Sequence, residues 1–392
     1  MLKQLKAACL LLIFISSITH AQDASPKADY TLITEKFDSK VLSEERTVVV
    51  QLPKSYAGNP DKKYPVIYRL DGAATLVMMN AVLESLQSQR AAPEVIIVAI
   101  ENTDRLRDLY PTVNRDPNGP VGAGGGGAKF LQFITTELMP AVESKYRAHD
   151  FRIIAGASAA GAFSLYALQK KPELFDAALA YSAAVWWNYG ATGKSTVEFL
   201  KNAEVLDHYI YTAIGNEPAP MRPYYDEMMN GISENQAKGL RWVNNSFNNV
   251  PHNLVSTAAS FNAYHNLFYS EFMQPKDYDG RLASIEEYYA RVSHQRGEKI
   301  EAPEWVIRGL GYHYVTEQNS EEAIKLFKYD IERYPNMPDA YNGLAYGYEA
   351  SGEYTKALEQ VNRAIQLASE DYEGYQVYVN RRERLLDKLD KK

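Results

Sequence analysis

The Gly-Ala-Ser-Ala-Ala-Gly hexapeptide around Ser158 constrains the fold of this chain more than any other segment. It follows an apolar, strand-like run at 151–155 and precedes a helix-like run at 163–168. A serine on such a tight strand-to-helix turn holds a strained backbone, so only very small residues fit two positions on either side of it. Gly156 and Ala160 meet this requirement. The segment therefore predicts a nucleophile elbow with Ser158 at its tip.

The same turn predicts part of an oxyanion-binding site. It places the amide of Ala159 at the N-terminus of the following helix, where an unpaired donor and the helix dipole stabilise negative charge. A second donor is expected in the loop after an earlier strand, where residues 70–73 read Leu-Asp-Gly-Ala. We predict the backbone amide of Gly72 or Ala73 for this role, although an Asp-Gly pair is equally typical of a plain turn.

Apolar strand-like runs alternate with helix-like runs from about residue 29 to residue 272. Six runs are predicted to be strands: 47–52, 66–70, 95–100, 153–155, 177–181 and 209–214. Segments 130–146 and 162–168 have helical spacing, and near-continuous apolar strands suit a sheet that is covered on both faces. The pattern predicts an α/β fold with a doubly wound sheet, whose sites lie at the carboxyl ends of the strands.

A serine hydroxyl needs a base to take its proton and an acid to orient that base. On this type of fold the chain order is nucleophile, acid, histidine. The positions of the other histidines along the chain exclude them as the base. His252 remains, and it lies in a polar turn just ahead of a helical run. Glu217 follows the last strand-like run and is the predicted acid. Asp226 and Glu227 lie a few residues further on and remain alternatives.

Two further segments are candidates for the rim of the site. The glycine-rich run 122–127 lacks both the closing lysine and the preceding strand of a phosphate-binding loop, so we interpret it as a flexible loop at the rim. Trp186 and Trp187 follow a strand-like run. They are predicted either to form the wall of an acyl or aromatic pocket or to serve as ordinary packing.

The first 21 residues are typical of a secretory signal peptide. Lys3 and Lys6 precede an apolar run at 7–15, and Ala21 supplies the small residue for cleavage. The run is shorter than the roughly 20 residues that a spanning helix needs. Cys9 is the only cysteine, so the mature chain can form no disulfide and no cysteine–zinc site. We expect a periplasmic or secreted protein with no membrane span after cleavage.

The net charge argues against nucleic-acid binding. The whole chain has a formal charge of −7, and cleavage after Ala21 removes two lysines and no acidic residue. Phosphate binding depends on clustered Lys and Arg. We therefore expect no nucleic-acid partner, and we predict neither a cofactor nor a metal.

The C-terminal part of the chain has a different pattern. Residues 273–301 are predicted to be a helical linker, in which 284–287 resemble a capping box. Beyond it, small and apolar residues recur 34 positions apart: Leu310, Gly311, Tyr314, Ala323 and Phe327 correspond to Leu344, Ala345, Tyr348, Ala357 and Val361. This period is typical of tetratricopeptide repeats. We predict two repeats and a capping helix over 302–392, which offer a surface for a protein partner.

Several blocks resemble the esterase D and enterochelin-esterase-like branch of the α/β-hydrolases. They are the Gly-x-Ser-x-x-Gly turn with the segment up to Trp187, the segment 102–112, and Tyr-Arg-Leu-Asp-Gly at 68–72. The resemblance covers about residues 30–272. It implies serine esterase chemistry with Ser158 as the nucleophile and His252 as the base.

Two positions depart from the family pattern, because Ala157 and Ala160 stand where the family usually has His and Gly. Both are small enough for the elbow. Members of the family act on siderophore lactones, thioesters, and acetyl or feruloyl esters of polysaccharides, so the resemblance does not fix the substrate. It implies a domain at 22–272 that hydrolyses a small-molecule ester through an acyl-enzyme. The alternative is an inactive hydrolase-fold scaffold protein that recruits a partner through its repeats.

Overall fold

The computed structural model describes residues 30–391, in which eight strands form one sheet. The strands are β1 (Thr31–Ser39), β2 (Glu44–Leu52), β3 (Tyr64–Arg69), β4 (Ile96–Ile100), β5 (Ala148–Ala157), β6 (Ala177–Tyr181), β7 (Tyr209–Ile214) and β8 (Arg241–Ser246). Their order across the sheet is β1-β2-β4-β3-β5-β6-β7-β8. The pairs β1–β2 and β2–β4 are antiparallel, and the remaining pairs are parallel.

Helices cover both faces of this sheet. They are α1 (Leu76–Ser88), α2 (Arg105–Leu109), α3 (Gly127–Phe133), α4 (Met139–Lys145), α5 (Ala159–Lys170), α6 (Trp187–Asn202), α7 (Met221–Glu234) and α8 (Val255–Leu267). The apolar side chains of α1 and α8 pack on one face, and those of α3 to α7 pack on the other. Strands β3, β4, β6 and β7 are buried along their whole length, as near-continuous apolar runs require. The predicted doubly wound α/β fold is confirmed.

The two strands that the sequence pattern missed lie at the edges of the sheet. β1 alternates exposed and partly buried residues, and β8 carries the polar sequence Arg-Trp-Val-Asn-Asn-Ser. An edge strand needs only one neighbour and is often polar, so it lacks the apolar run that identified the inner strands.

A helix occupies most of the segment predicted as a linker. This helix, α9 (Leu282–Arg296), begins after Arg281 and has no capping box, because the Ser284 hydroxyl donates to the Arg281 carbonyl instead (2.8 Å). Near its end, Gln295 donates to the Leu267 carbonyl (3.1 Å) and the Arg296 guanidinium to the Arg90 carbonyl (2.8 Å). Both side chains are buried, so α9 is fixed to the α/β domain.

The chain ends in paired helices, α10 (Glu304–Thr316), α11 (Ser320–Arg333), α12 (Pro338–Ala350), α13 (Tyr354–Leu367) and α14 (Tyr375–Asp390). α10 and α12 begin 34 residues apart, as do α11 and α13. A Cβ atom added to Gly311 or Gly343 would lie 2.5 or 2.7 Å from the Phe327 ring, so these helices cross too closely for a larger residue. Among residues 30–391, no helix is long and apolar enough to cross a membrane. The predicted signal peptide lies outside the described residues.

One carboxyl group in this helical region is buried without a partner. Asp330 on α11 is fully buried, and neither of its carboxylate oxygens has a hydrogen-bond partner among residues 30–391. Burial, with a smaller contribution from Glu304, raises the pKa of Asp330 to about 8. The native state therefore keeps a proton that the unfolded chain releases near its ordinary pKa of about 3.9. Consequently, the free energy of unfolding should fall as pH rises from about 4 to about 8.

We predict that Asp330→Asn raises the free energy of unfolding by about 1–3 kcal/mol at pH values above this window, because it removes a buried carboxylate that has no partner. The variant should also lose much of the pH dependence within the window from about pH 4 to about pH 8. Urea denaturation over a pH series measures both effects. Asp390→Asn, at an exposed position on α14, is the matched control and should keep the wild-type slope. Equal slopes for wild type and Asp330→Asn would contradict this account.

Candidate active site

Ser158 lies on the turn between β5 and α5 with φ 58° and ψ −119°, outside the regions that most residues adopt. Its amide donates to the Tyr181 carbonyl (2.9 Å), and its carbonyl accepts from the Ala184 amide (2.9 Å). A Cβ atom on Gly156 would lie 2.4 Å from the Cβ of Ala160. The turn therefore requires glycine at 156 and a small residue at 160, which is the geometry of a nucleophile elbow.

The structure brings the predicted base and acid together. His252 begins a short 3₁₀ turn ahead of α8, and its Nδ1 lies 2.7 Å from Glu217 Oε1. The Glu217 side chain is 4% exposed, whereas that of His252 is 42% exposed, so the imidazole is accessible from the pocket and the acid is not. The alternative acids lie elsewhere: Asp226 pairs with Arg222 on α7, and Glu227 lines a different cavity.

The nucleophile and the base face one open pocket of about 440 Å³. Among the described residues, no hydrogen bond joins Ser158 Oγ to His252. Such contacts are often long before substrate binds and shorten in the reactive complex. The pocket lies at the carboxyl ends of the strands, where the doubly wound sheet predicts it.

Ser182 is a site residue that sequence reasoning missed. It follows the end of β6 with φ 40°, is buried, and donates from its hydroxyl to Glu217 Oε1 (2.8 Å), the same oxygen that contacts His252. The only signal for it in the sequence is a polar residue directly after an apolar strand. Because two contacts hold one carboxylate oxygen, Ser182 fixes the orientation of Glu217.

We predict that Ser182→Ala lowers kcat about 10-fold, which corresponds to one hydrogen bond to a charged group, and leaves KM unchanged. Steady-state kinetics on a small ester measures this split. Ser260→Ala is the matched control, because Ser260 is also buried and bonds the Ser256 carbonyl on α8. A Ser182→Ala enzyme with wild-type kcat would remove Ser182 from the site.

The oxyanion donors predicted from the sequence differ in availability. The Ala159 amide lies in the first turn of α5, where the helix supplies no partner. The Gly72 amide donates to the Ile100 carbonyl (2.9 Å), so it has no free hydrogen for an oxyanion in this structure. The Ala73 amide donates to Glu101 Oε1 (3.1 Å), and it becomes available only when that carboxylate moves. Sequence position alone could not show which amides were already paired.

Aromatic side chains and one cation line the pocket. Trp187 is buried, stacks on Tyr110 with ring centroids 3.8 Å apart, and lines the pocket together with Trp186, so the pair serves both as packing and as wall. Arg105 also lines the pocket and donates to Asp71 (2.7 Å). The hydrogen bond that Arg105 donates to Asp71 raises the pKa of Arg105, so this group remains cationic.

The glycine-rich run packs against the site more closely than a free loop would. The Gly125 amide donates to the Tyr110 carbonyl (2.9 Å) and the Gly126 amide to the Arg107 carbonyl (3.0 Å). A Cβ atom on Gly124 would lie 3.0 Å from the Trp187 ring. Pro120, just before the run, lines the pocket, whereas the run itself packs behind Tyr110 and Trp187. These bonds correct the expectation of a flexible loop.

The sheet order, the elbow and the His–Glu pair define an α/β-hydrolase of the serine type. The chain belongs to the esterase family, whose model ("Putative esterase") matches residues 39–248, more than half of the chain. Siderophore enterobactin esterase from Emericella nidulans is 34% identical over 164 residues, which cover 37% of this chain and 54% of that protein. The first curated relatives are matched over 54% to 61% of their own length.

Two solved structures are similar to this chain over more than its sheet-containing part. An IroE-like serine hydrolase from Shewanella oneidensis is 25% identical with a TM-score of 0.61, covering 78% of this chain and 100% of that one. An uncharacterised protein from Capnocytophaga ochracea has a TM-score of 0.64 at 17% identity, covering 91% of this chain and 100% of that one. At this identity the second likeness shows the fold alone.

Proposed function

We propose that this protein hydrolyses carboxylic esters through a covalent acyl-enzyme. The proposal rests on one observation: Ser158, on its strained turn, lines the same pocket as the His252–Glu217 pair. The esterase family membership agrees with it.

In the proposed reaction, His252 Nε2 takes the proton from Ser158 Oγ as that oxygen attacks the ester carbonyl carbon. The tetrahedral oxyanion accepts a hydrogen bond from the Ala159 amide, and the Ala73 amide adds a second one once Glu101 turns away. His252 then gives its proton to the departing alcohol, which leaves the acyl group on Ser158. Water, deprotonated by His252, attacks the carbonyl carbon of this acyl-enzyme, the bond from that carbon to Ser158 Oγ breaks, and His252 returns the proton to Ser158 Oγ as the acid leaves. Glu217 Oε1 accepts the hydrogen bond from His252 Nδ1 and stabilises the imidazolium.

The pocket lining favours an aromatic ester. Tyr110 and Trp186 offer aromatic surface, and the Arg105 guanidinium lies beside them as an ion pair with Asp71. The relative from Emericella nidulans is named as a siderophore enterobactin esterase. We therefore propose a siderophore ester as the substrate class ahead of a polysaccharide-linked ester, and a periplasmic or secreted location that fits the predicted signal peptide.

We further propose that α10 to α13 are two tetratricopeptide repeats and that α14 is their cap. The 34-residue recurrence of the helix pairs supports this assignment. Arg381 and Arg384 of α14 both bond Glu349 of α12 (3.0 and 2.8 Å), which holds the cap on the preceding repeat. In this proposal the repeats offer a surface for a protein partner, and residues 22–272 hold the complete catalytic site.

A panel of p-nitrophenyl, feruloyl and siderophore trilactone esters, assayed on the purified mature protein, tests the proposal. We expect hydrolysis of at least one ester class, fastest for the siderophore, and none by Ser158→Ala. Absence of hydrolysis across the panel would favour the alternative of an inactive hydrolase-fold scaffold that acts through its repeats.

A further inference from the structure

Two histidines and an aspartate meet at the end of the sheet opposite the active site. His149 and Asp150 lie near the start of β5, whereas Ser158 follows the end of the same strand. His294 comes from the last turn of α9. The cluster therefore joins the α/β domain to the helix that leads into the C-terminal repeats.

The spacing of these side chains suits a small metal ion. One ligand atom from each of the three residues lies within 4.8 Å of the others. Asp150 Oδ1 is 3.2 Å from His149 Nδ1 and 3.9 Å from His294 Nδ1. Tetrahedral zinc, with bonds of about 2.0–2.2 Å, places its ligand atoms roughly 3.3 Å apart. Because the Asp150 and His294 side chains are 67% and 48% exposed, they can rotate by the small amount required.

A second carboxylate lies against the other ring nitrogen of His294. Asp176 Oδ1 is 3.3 Å from His294 Nε2, a contact that favours a proton on Nε2 and leaves Nδ1 as the nitrogen for a metal to bind. The other oxygen of Asp176 accepts from the Arg152 amide (2.7 Å), which holds the carboxylate in place. A carboxylate behind a ligating histidine is the usual outer arrangement of metal sites.

His149 also offers an unprotonated ring nitrogen. Its Nδ1 accepts a hydrogen bond from the Phe151 amide (3.1 Å), so this nitrogen also carries a lone pair, and a metal would replace that single bond. Gly297, the C-cap of α9, adopts φ 67°, and a Cβ atom there would lie 3.0 Å from the His149 ring. This close approach brings the end of α9 onto His149.

We propose that His149, Asp150 and His294 bind one divalent transition ion of the zinc class, with water completing the coordination. Two imidazoles exclude Mg²⁺ and Ca²⁺, which prefer oxygen ligands. The ion cross-links β5 to α9 and thereby fastens the repeats to the catalytic domain. It takes no part in ester hydrolysis, because the pocket lies at the opposite end of β5.

Isothermal titration of Zn²⁺ into the chelator-treated mature protein tests this site. We expect one ion per chain, weakening of about 100-fold or more in His294→Gln and in His149→Asn, and about 10- to 100-fold in Asp176→Asn. His265→Gln, an exposed histidine on α8, is the matched control and should bind as wild type does. Zn²⁺ should raise the thermal midpoint of wild type and not that of His294→Gln.

Equal Zn²⁺ affinity in wild type and in both histidine variants, or no saturable binding by wild type, would overturn the proposal. Because the two histidines are replaced separately, poor folding of one variant, checked by circular dichroism, does not remove the test. Ester hydrolysis by His294→Gln should equal that of wild type, so failure of the metal site is distinguishable from failure of the proposed esterase activity.

Discussion

Ser158→Ala should lower kcat for ester hydrolysis on the order of 10³- to 10⁶-fold, because it removes the atom that becomes acylated. His252→Ala should lose a similar amount, since the serine hydroxyl is a weak nucleophile without its base. The double variant should be no worse than either single one, because the two residues act as a unit. Rates of the three variants on one activated ester, compared with wild type, measure this non-additivity.

The free energy of unfolding shows whether these variants remain folded. Ser158 and His252 line an open pocket, so the free energy of unfolding should change by no more than about 1 kcal/mol. Ser195→Ala, a serine on α6 outside the pocket, should keep wild-type kcat. Losses that multiply in the double variant would mean that Ser158 and His252 do not work as a nucleophile–base pair.

Glu217→Gln should slow hydrolysis by up to about 10⁴-fold, because an amide cannot stabilise the imidazolium and favours the wrong tautomer of His252. Because the Glu217 side chain is buried, little water can take the place of its carboxylate, and we expect the loss of rate to lie near the upper end of this range. Steady-state kinetics of the purified variant, compared with wild type on the same ester, gives the ratio.

The two other acids that the sequence offered are the matched controls. Asp226→Asn and Glu227→Gln should retain wild-type kcat, because Asp226 pairs with Arg222 and Glu227 lines a separate cavity. Unchanged activity in Glu217→Gln together with loss in Asp226→Asn would transfer the role of the acid to Asp226.

The features that could be predicted from the sequence are those set by residues close together in the chain. The elbow depends on close contact between Gly156 and Ala160, and that steric demand is visible as a run of small residues. The inner strands are buried on both faces and therefore appear as apolar runs. The acid Glu217 was expected at the end of β7, and the structure places it beside His252.

Features that depend on pairing between distant segments could not be predicted in this way. The Gly72 amide donates to the Ile100 carbonyl at the end of another strand, and the contact of Ser182 with Glu217 likewise joins two different strand ends. The Arg105 cation reaches the pocket from α2 because Asp71 holds it there. In each case the partner is set by the three-dimensional arrangement of the sheet, which no local pattern encodes.

Covalent labelling shows whether Ser158 is an activated nucleophile. The mature protein is treated with a fluorophosphonate, digested, and measured by peptide mass spectrometry. We expect one adduct, on Ser158, that is formed rapidly by wild type and is strongly reduced in His252→Ala. An unmodified Ser158 under conditions that label a control serine hydrolase, or an adduct on a different serine, would contradict it.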